Sequence, residues 1–357
     1  MFNSSRLNLA RKRRRVTARI LAQETGITSV TLSRILNGTH DPDGKVVASL
    51  ASALRYPVDF FYGNDIDEID ARAASFRSLT SMTARERDAS LAAGSLAFEI
   101  SDWVNKLFKL PDSDLIDLGH ERDPANAARV VRQHWSIGEK PIGNIVHFLE
   151  TKGVRLFSLS ENTRNVDAFS CWRNSEPFVF LNTYKTTERS RFDAAHELGH
   201  LVMHKHGGPN QRDAENQANL FASSFLMPRA DVIASIPYAP DLKTIIRAKK
   251  KWGVSASALA YRLNKLRIIS DWQFRTFMIQ LNSNNGSKEP DGLPAEKSHV
   301  WITVLQELWR DGKTVDVIGR ELRLPMEEVR SLLFGLTAEP VPDRANSAAF
   351  LSLREVK

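Results

Sequence analysis

Apolar residues along this chain recur mostly at helical spacing, and extended apolar runs are few. Leu7, Leu9 and Ala10 predict a first helix. Residues 17–25 predict a second, with Ile20, Leu21 and Ala22 as its packing face. Gly26 ends it as a left-handed residue would. Thr28 is a good N-cap for a third helix over 29–36, closed by Asn37-Gly38. Asp41-Pro42-Asp43-Gly44 makes a turn, residues 46–54 form a fourth amphipathic helix, and Pro57 to Phe61 caps the bundle with aromatics. Helix formers at 71–76 and 83–110 predict a helical connector over 64–124, either a dimerisation arm or a rigid spacer, broken at Pro111. A β-rich run covers 177–182. Two helices follow it, the second stopped by Pro228, and two more lie around Trp252-Gly253-Val254-Ser255, with Ser255 as an N-cap. The polar stretch 282–294 reads as a flexible linker. Beyond it, 299–309, 314–322 and 325–334 make a small three-helix module, an interaction or dimerisation unit with a second helix-turn-helix as the alternative, and residues from Glu339 read as disordered apart from a short apolar patch. The expected fold is mainly α (α+β) with one small sheet, divided at 1–63, 64–124, 125–281 and 295–338.

The segment between 191 and 204 adds chemistry to this pattern. His196-Glu197-Leu198-Gly199-His200 is an H-E-x-x-H run. Positions i and i+4 share one helix face, so both imidazoles can reach one metal ion. Glu197 projects beside that ion, where it can take a proton from bound water that zinc has acidified to a pKa of about 7. Gly199 is a poor helix former, and its use here predicts something packed close to the backbone. The strand before the motif offers an edge to an extended peptide substrate by strand addition. A two-His zinc site needs a third protein ligand. Glu215, near the start of the next helix, is the choice, with Asp213, His204 and His206 as competitors. His204, His206 and Tyr184 are candidates to stabilise an oxyanion.

Charge singles out the other end of the chain. The formal net charge is +7. Residues 1–62 hold ten Lys or Arg against four acids, so nearly all the excess is there. That is the footprint of a polyanion binder. Leu21-Ala22, Gly26, Thr28, Leu32-Ser33-Arg34-Ile35 and Asn37-Gly38 resemble the Xre/Cro-type helix-turn-helix. By that resemblance Ser29, Val30, Thr31 and Arg34 meet base edges in the major groove of an operator duplex, and Arg11 and Arg13 meet phosphates. Arg34 alone has a strong bidentate option for guanine.

The run R-F-x-x-A-H-E-L-G-H-L-x-x-H over 191–204, followed by E-x-x-A-N-x-F-A-x-x-x-L-M-P over 215–228, resembles the ImmA/IrrE family of bacterial zinc metallopeptidases. The resemblance spans about 125–265. It implies Zn²⁺ held by His196, His200 and Glu215, with Glu197 as the catalytic residue. It also implies a protein substrate: a partner repressor, an antitoxin, or this chain itself. A repressor whose peptidase fold only senses metal or ligand is the alternative, and a homodimer is compatible with either. The single cysteine, Cys171, excludes an intrachain disulfide framework and suits a reducing compartment. No apolar run is long enough for a membrane span, and the charged N-terminus lacks the apolar stretch of a signal peptide, so a cytoplasmic protein is expected.

Overall fold

Side-chain caps set many helix starts locally. In the computed structural model, which describes residues 1–71, 75–76, 82–159, 168–206, 211–285 and 289–337, Asn3 caps α1 (Ser4–Arg13) and Thr17 caps α2 (Ala18–Thr25). Thr28 caps α3 (Ser29–Leu36) and Asp43 caps α4 (Gly44–Leu54). Each cap oxygen accepts a backbone N–H that has no partner inside its helix, a contribution of about 0.5–2 kcal/mol. Gly26 joins α2 to α3 at φ +70°, where a side chain would be strained. Leu7, Leu21, Leu32, Ile35, Leu50 and Phe60 bury completely in the centre of this bundle, each stabilising it by roughly 1.5–3 kcal/mol.

A strand, β1 (Ser75–Phe76), follows where helix was expected; the rest of that stretch, 72–74 and 77–81, lies outside the described residues. The long helix α5 (Ala84–Leu107) starts with a complete capping box between Thr83 and Glu86. After α6 (Pro124–His134) and α7 (Ile145–Thr151) come β2 (Arg155–Leu159), β3 (Ala168–Arg173) and β4 (Glu176–Asn182). The sheet order is β1-β3-β4-β2, with β2 parallel to β4 and the other pairs antiparallel. β4 is therefore internal. Both its edges are hydrogen-bonded, so it has no edge to offer a peptide, and the expected strand addition at 177–182 is corrected.

Alternation puts Phe169, Phe178 and Phe180 on one face of the sheet and Ser170 and Trp172 on the other. The first face takes α5: Phe98 meets Phe178 at 4.7 Å, and Gly94 leaves room for Phe169 and Phe180. α5 also packs along α1 and buries residues on all sides. It is a core helix, neither an arm nor a spacer. The second face takes α8 (Thr187–Met203), where Trp172 Nε1 donates to the Leu201 carbonyl at 3.1 Å. α9 (Gln211–Leu226) lies against α8. The neighbour expected at Gly199 is Phe221 of α9: a Cβ on Gly199 would stand 3.0 Å from its Cδ1.

Helices α10 (Arg229–Ser235), α11 (Leu242–Ala248), α12 (Ala256–Lys265) and α13 (Asp271–Asn285) complete this part. The stretch expected to be a flexible linker is helical up to Asn285 and, from Glu289 on, strapped down; residues 286–288 lie outside the described residues. Lys249, completely buried, pairs with Glu188 at 2.9 Å and with Glu289 at 3.2 Å. Glu188 also accepts from the Leu293 backbone, and Arg191 pairs with Glu296. A buried charge without its partner is strongly destabilising, which makes this strap specific.

Helices α14 (His299–Arg310), α15 (Asp316–Leu322) and α16 (Met326–Leu333) end the described chain. Expected as a separate module, they pack on the body. Glu150 accepts from Ser298 and from the backbones of His299 and Val300, capping α14. Trp301 Nε1 donates to the Leu156 carbonyl of β2 at 2.8 Å, and α15 and α16 pack on α5. The residues expected to be disordered, from Glu339 on, lie outside the described residues. Among the described residues no helix is long and apolar enough to cross a membrane.

Candidate metal centre and helix-turn-helix face

Helical periodicity brings His196 and His200 to one face of α8, and the contact between α8 and α9 brings Glu215 to them. Among the described residues these three form a group whose ligand atoms lie within 4.8 Å of one another. The two Nε2 atoms are 3.1 Å apart. Glu215 places one oxygen 3.3 Å from His196 Nε2 and the other 3.3 Å from His200 Nε2. Tetrahedral ligands at 2.0–2.1 Å from zinc stand about 3.3 Å from each other. The donor set and its three edges fit that ion.

The outward nitrogens are held as a metal site requires. His196 Nδ1 lies 3.1 Å from Asn219 Oδ1. His200 Nδ1 lies 2.9 Å from His204 Nδ1, and His204 Nε2 lies 2.9 Å from Gln217 Oε1. With these amide orientations, Gln217 makes His204 Nε2 the N–H, so His204 Nδ1 accepts from His200. Both His196 and His200 then donate through Nδ1 and turn the Nε2 lone pair inward. Burial lowers the pKa of His204 and keeps it in this neutral accepting form. Burial alone would raise the pKa of Glu215, but where the adjoining imidazoles are protonated at Nε2 they outweigh it and bring the carboxyl down to about 2.

Glu197 is fully buried at the interface of α8 with the sheet, where Ser170 Oγ on β3 donates to its Oε2 at 2.6 Å. The hydroxyl aims the carboxylate. Ser170, Asn219 and Gln217 escaped the sequence reading. Asn219 had one signal, its place one helical turn beyond Glu215. The other candidates lie elsewhere or are engaged. His206 pairs with Asp117 at 2.8 Å on the surface, Asp213 is exposed, and Tyr184 is exposed just beyond β4. His204 stands behind His200 with both ring nitrogens engaged. Cys171 is buried on β3, and burial pushes its thiol up to about 12, which makes it inert.

On α3, Ser29, Val30 and Arg34 are exposed, Val30 to 63%. Thr31 is half-buried, and its hydroxyl accepts from Thr28. The two arginines expected at phosphates turn toward protein. Arg11 donates to the Val16 carbonyl, and Arg13 pairs with Glu328 on α16 at 2.7 Å. Arg14 meets the same carboxylate at 2.8 Å, and Glu328 is 1% exposed. These pairs and the α1–α5 contact join the first bundle to the body.

The comparisons agree with this division of labour. Residues 4–59 match the model of a helix-turn-helix domain, and residues 149–264 match the peptidase-family model described as an IrrE N-terminal-like domain. No curated protein matches the chain. The chain thus carries a helix-turn-helix domain of the DNA-binding kind, then a domain of peptidase fold. The second match runs from α7 to α12 and includes His196, Glu197, His200 and Glu215.

Proposed function

We propose that this chain is a cytoplasmic DNA-binding transcriptional regulator with a zinc-dependent endopeptidase domain that hydrolyses a peptide bond in a regulatory protein. The observation that carries the reading is the triangle of His196 Nε2, His200 Nε2 and the Glu215 carboxylate, with edges of 3.1 and 3.3 Å. These three residues would hold Zn²⁺, which when bound supplies Lewis-acid activation of water and of the scissile carbonyl. Glu197 takes the proton from the attacking water and passes it to the leaving amine. Ser170 orients Glu197 through its hydroxyl. Asn219 and His204 fix the ring planes of the two histidines, and their loss weakens metal binding as outer partners generally do. Tyr184 remains the candidate for the oxyanion, because His204 is engaged on both nitrogens. On DNA, Ser29, Val30, Thr31 and Arg34 read the major groove from the start of α3.

The test is metal content by elemental analysis of the wild type beside His196→Ala. Near-stoichiometric zinc that is lost in the variant supports the site. Glu197→Gln is expected to keep zinc and DNA binding and to lose peptide cleavage. Absence of zinc from both proteins after zinc is supplied sinks the peptidase reading.

A further inference from the structure

A peptide that adds to this sheet has two edges to choose from, and the chain occupies both. At the β2 edge, the Leu156 carbonyl is taken by Trp301, Ser158 donates to the Ser331 carbonyl, and α16 packs on the strand. At the β3 edge lies β1, antiparallel, with Ser75 opposite Ser170 and Phe76 opposite Phe169. Ser170 is the residue whose hydroxyl holds Glu197 at 2.6 Å. The backbone at Ser75–Phe76 therefore runs antiparallel along the strand that bears the partner of the catalytic carboxylate. Main-chain pairing of this kind is how an extended peptide is presented to a sheet edge, largely without regard to its side chains.

We propose that the substrate of the peptidase site is this chain's own segment at Ser75–Phe76, so that the enzyme cuts itself between its helix-turn-helix domain and α5. The proposal rests on the peptidase reading above and names its substrate. Two features of the structure favour self-cleavage over a foreign peptide. The edge beside Ser170 is already filled by the chain, so an outside peptide must first displace β1. The cut also falls between the matched helix-turn-helix domain at 4–59 and the matched peptidase-family domain at 149–264. In the step, water adds across one peptide C–N bond. Its oxygen enters the new carboxylate, and the proton held by Glu197 goes to the new amine. No oxidant or other co-reactant is needed. After the cut, the first bundle is joined to the body only by contacts such as Arg13 and Arg14 with Glu328.

The experiment incubates the full-length, zinc-loaded protein at several concentrations and follows intact mass under denaturing conditions. Glu197→Gln and Phe76→Pro run alongside, and β-casein with a synthetic peptide of residues 68–84 serves as substrate in trans. The expected result is two fragments whose masses sum to the chain plus one water, meeting at or beside Ser75. Their rate should be independent of protein concentration. Glu197→Gln should give none, and Phe76→Pro, which fixes φ near −65° and so works against extended antiparallel pairing, should slow the cut at least 10-fold. Cleavage of casein or of the peptide by zinc-loaded protein that leaves its own chain intact overturns the proposal and keeps the peptidase reading. A self-cut far from Ser75, or one unaffected by Phe76→Pro, also overturns it. Zinc-loaded protein that cleaves nothing overturns both.

Discussion

Gly199→Ala tests whether the contact of α8 with α9 sets the metal geometry. In an isolated helix the change would stabilise by about 0.8–1 kcal/mol. Here the new Cβ would stand 3.0 Å from Phe221 Cδ1 and 3.2 Å from its Cγ. Phe221 is fully buried and stacks on Phe225 at 5.7 Å, so it cannot swing aside. Overpacking of this kind costs about 1–3 kcal/mol. The two effects leave a net loss of roughly 0–2 kcal/mol, read as a lower urea midpoint. The larger effect falls on the metal. Relief requires α9 to move by a few tenths of an ångström, and Glu215 rides on α9, whereas metal sites tolerate about ±0.2 Å. Zinc affinity should fall about 10- to 100-fold, the range seen when supporting partners of a metal site are disturbed. Competition with a chromophoric chelator measures it. Phe221→Leu added to Gly199→Ala should recover part of the loss by making room. Wild-type zinc affinity together with a raised midpoint in Gly199→Ala would refute the reasoning, because the close contact would then not be holding Glu215 in place.

Three further outcomes follow from the same structure. Asn219→Ala should weaken zinc binding about 10- to 100-fold with little change in fold, since it removes only the partner of His196 Nδ1; chelator competition and far-UV circular dichroism check both halves. Lys249→Met should cost about 3–5 kcal/mol in urea denaturation by leaving Glu188 buried and unpaired, and Glu188→Gln in the same chain should return part of it. Asp231 provides the pH dependence. Burial alone would raise its pKa, but Lys251 and Trp252 outweigh burial and hold it below the ordinary 3.8. A depressed carboxylate stabilises above its unfolded pKa and loses that contribution as pH falls through the folded value. Asp231→Asn should therefore be less stable than the wild type at pH 7, and the gap should close only below pH 3.8; urea midpoints across pH measure it.

The sequence by itself determined what depends on neighbours a few residues away. Caps at Thr28 and Ser255, the left-handed Gly26 and the i, i+4 pair His196 and His200 are local physics, and each stands where the pattern put it. Gly199 even announced a close neighbour, though not which one. Pairings distant along the chain were illegible, because hydrophobic periodicity records which face is buried and never against what. Thus α5 read as a connector, although its apolar faces are covered by α1 and the sheet. Nothing local to Lys249 tells that Glu188 and Glu289 meet it in the interior. Arg13 looked like a phosphate contact because sequence shows its charge but not Glu328, which lies more than three hundred residues away on α16. β1 is the sharpest case. Ser75 and Phe76 lie in a run of helix formers, and only the open edge of β3 makes them a strand, since backbone ladder bonds there outweigh a weak local preference.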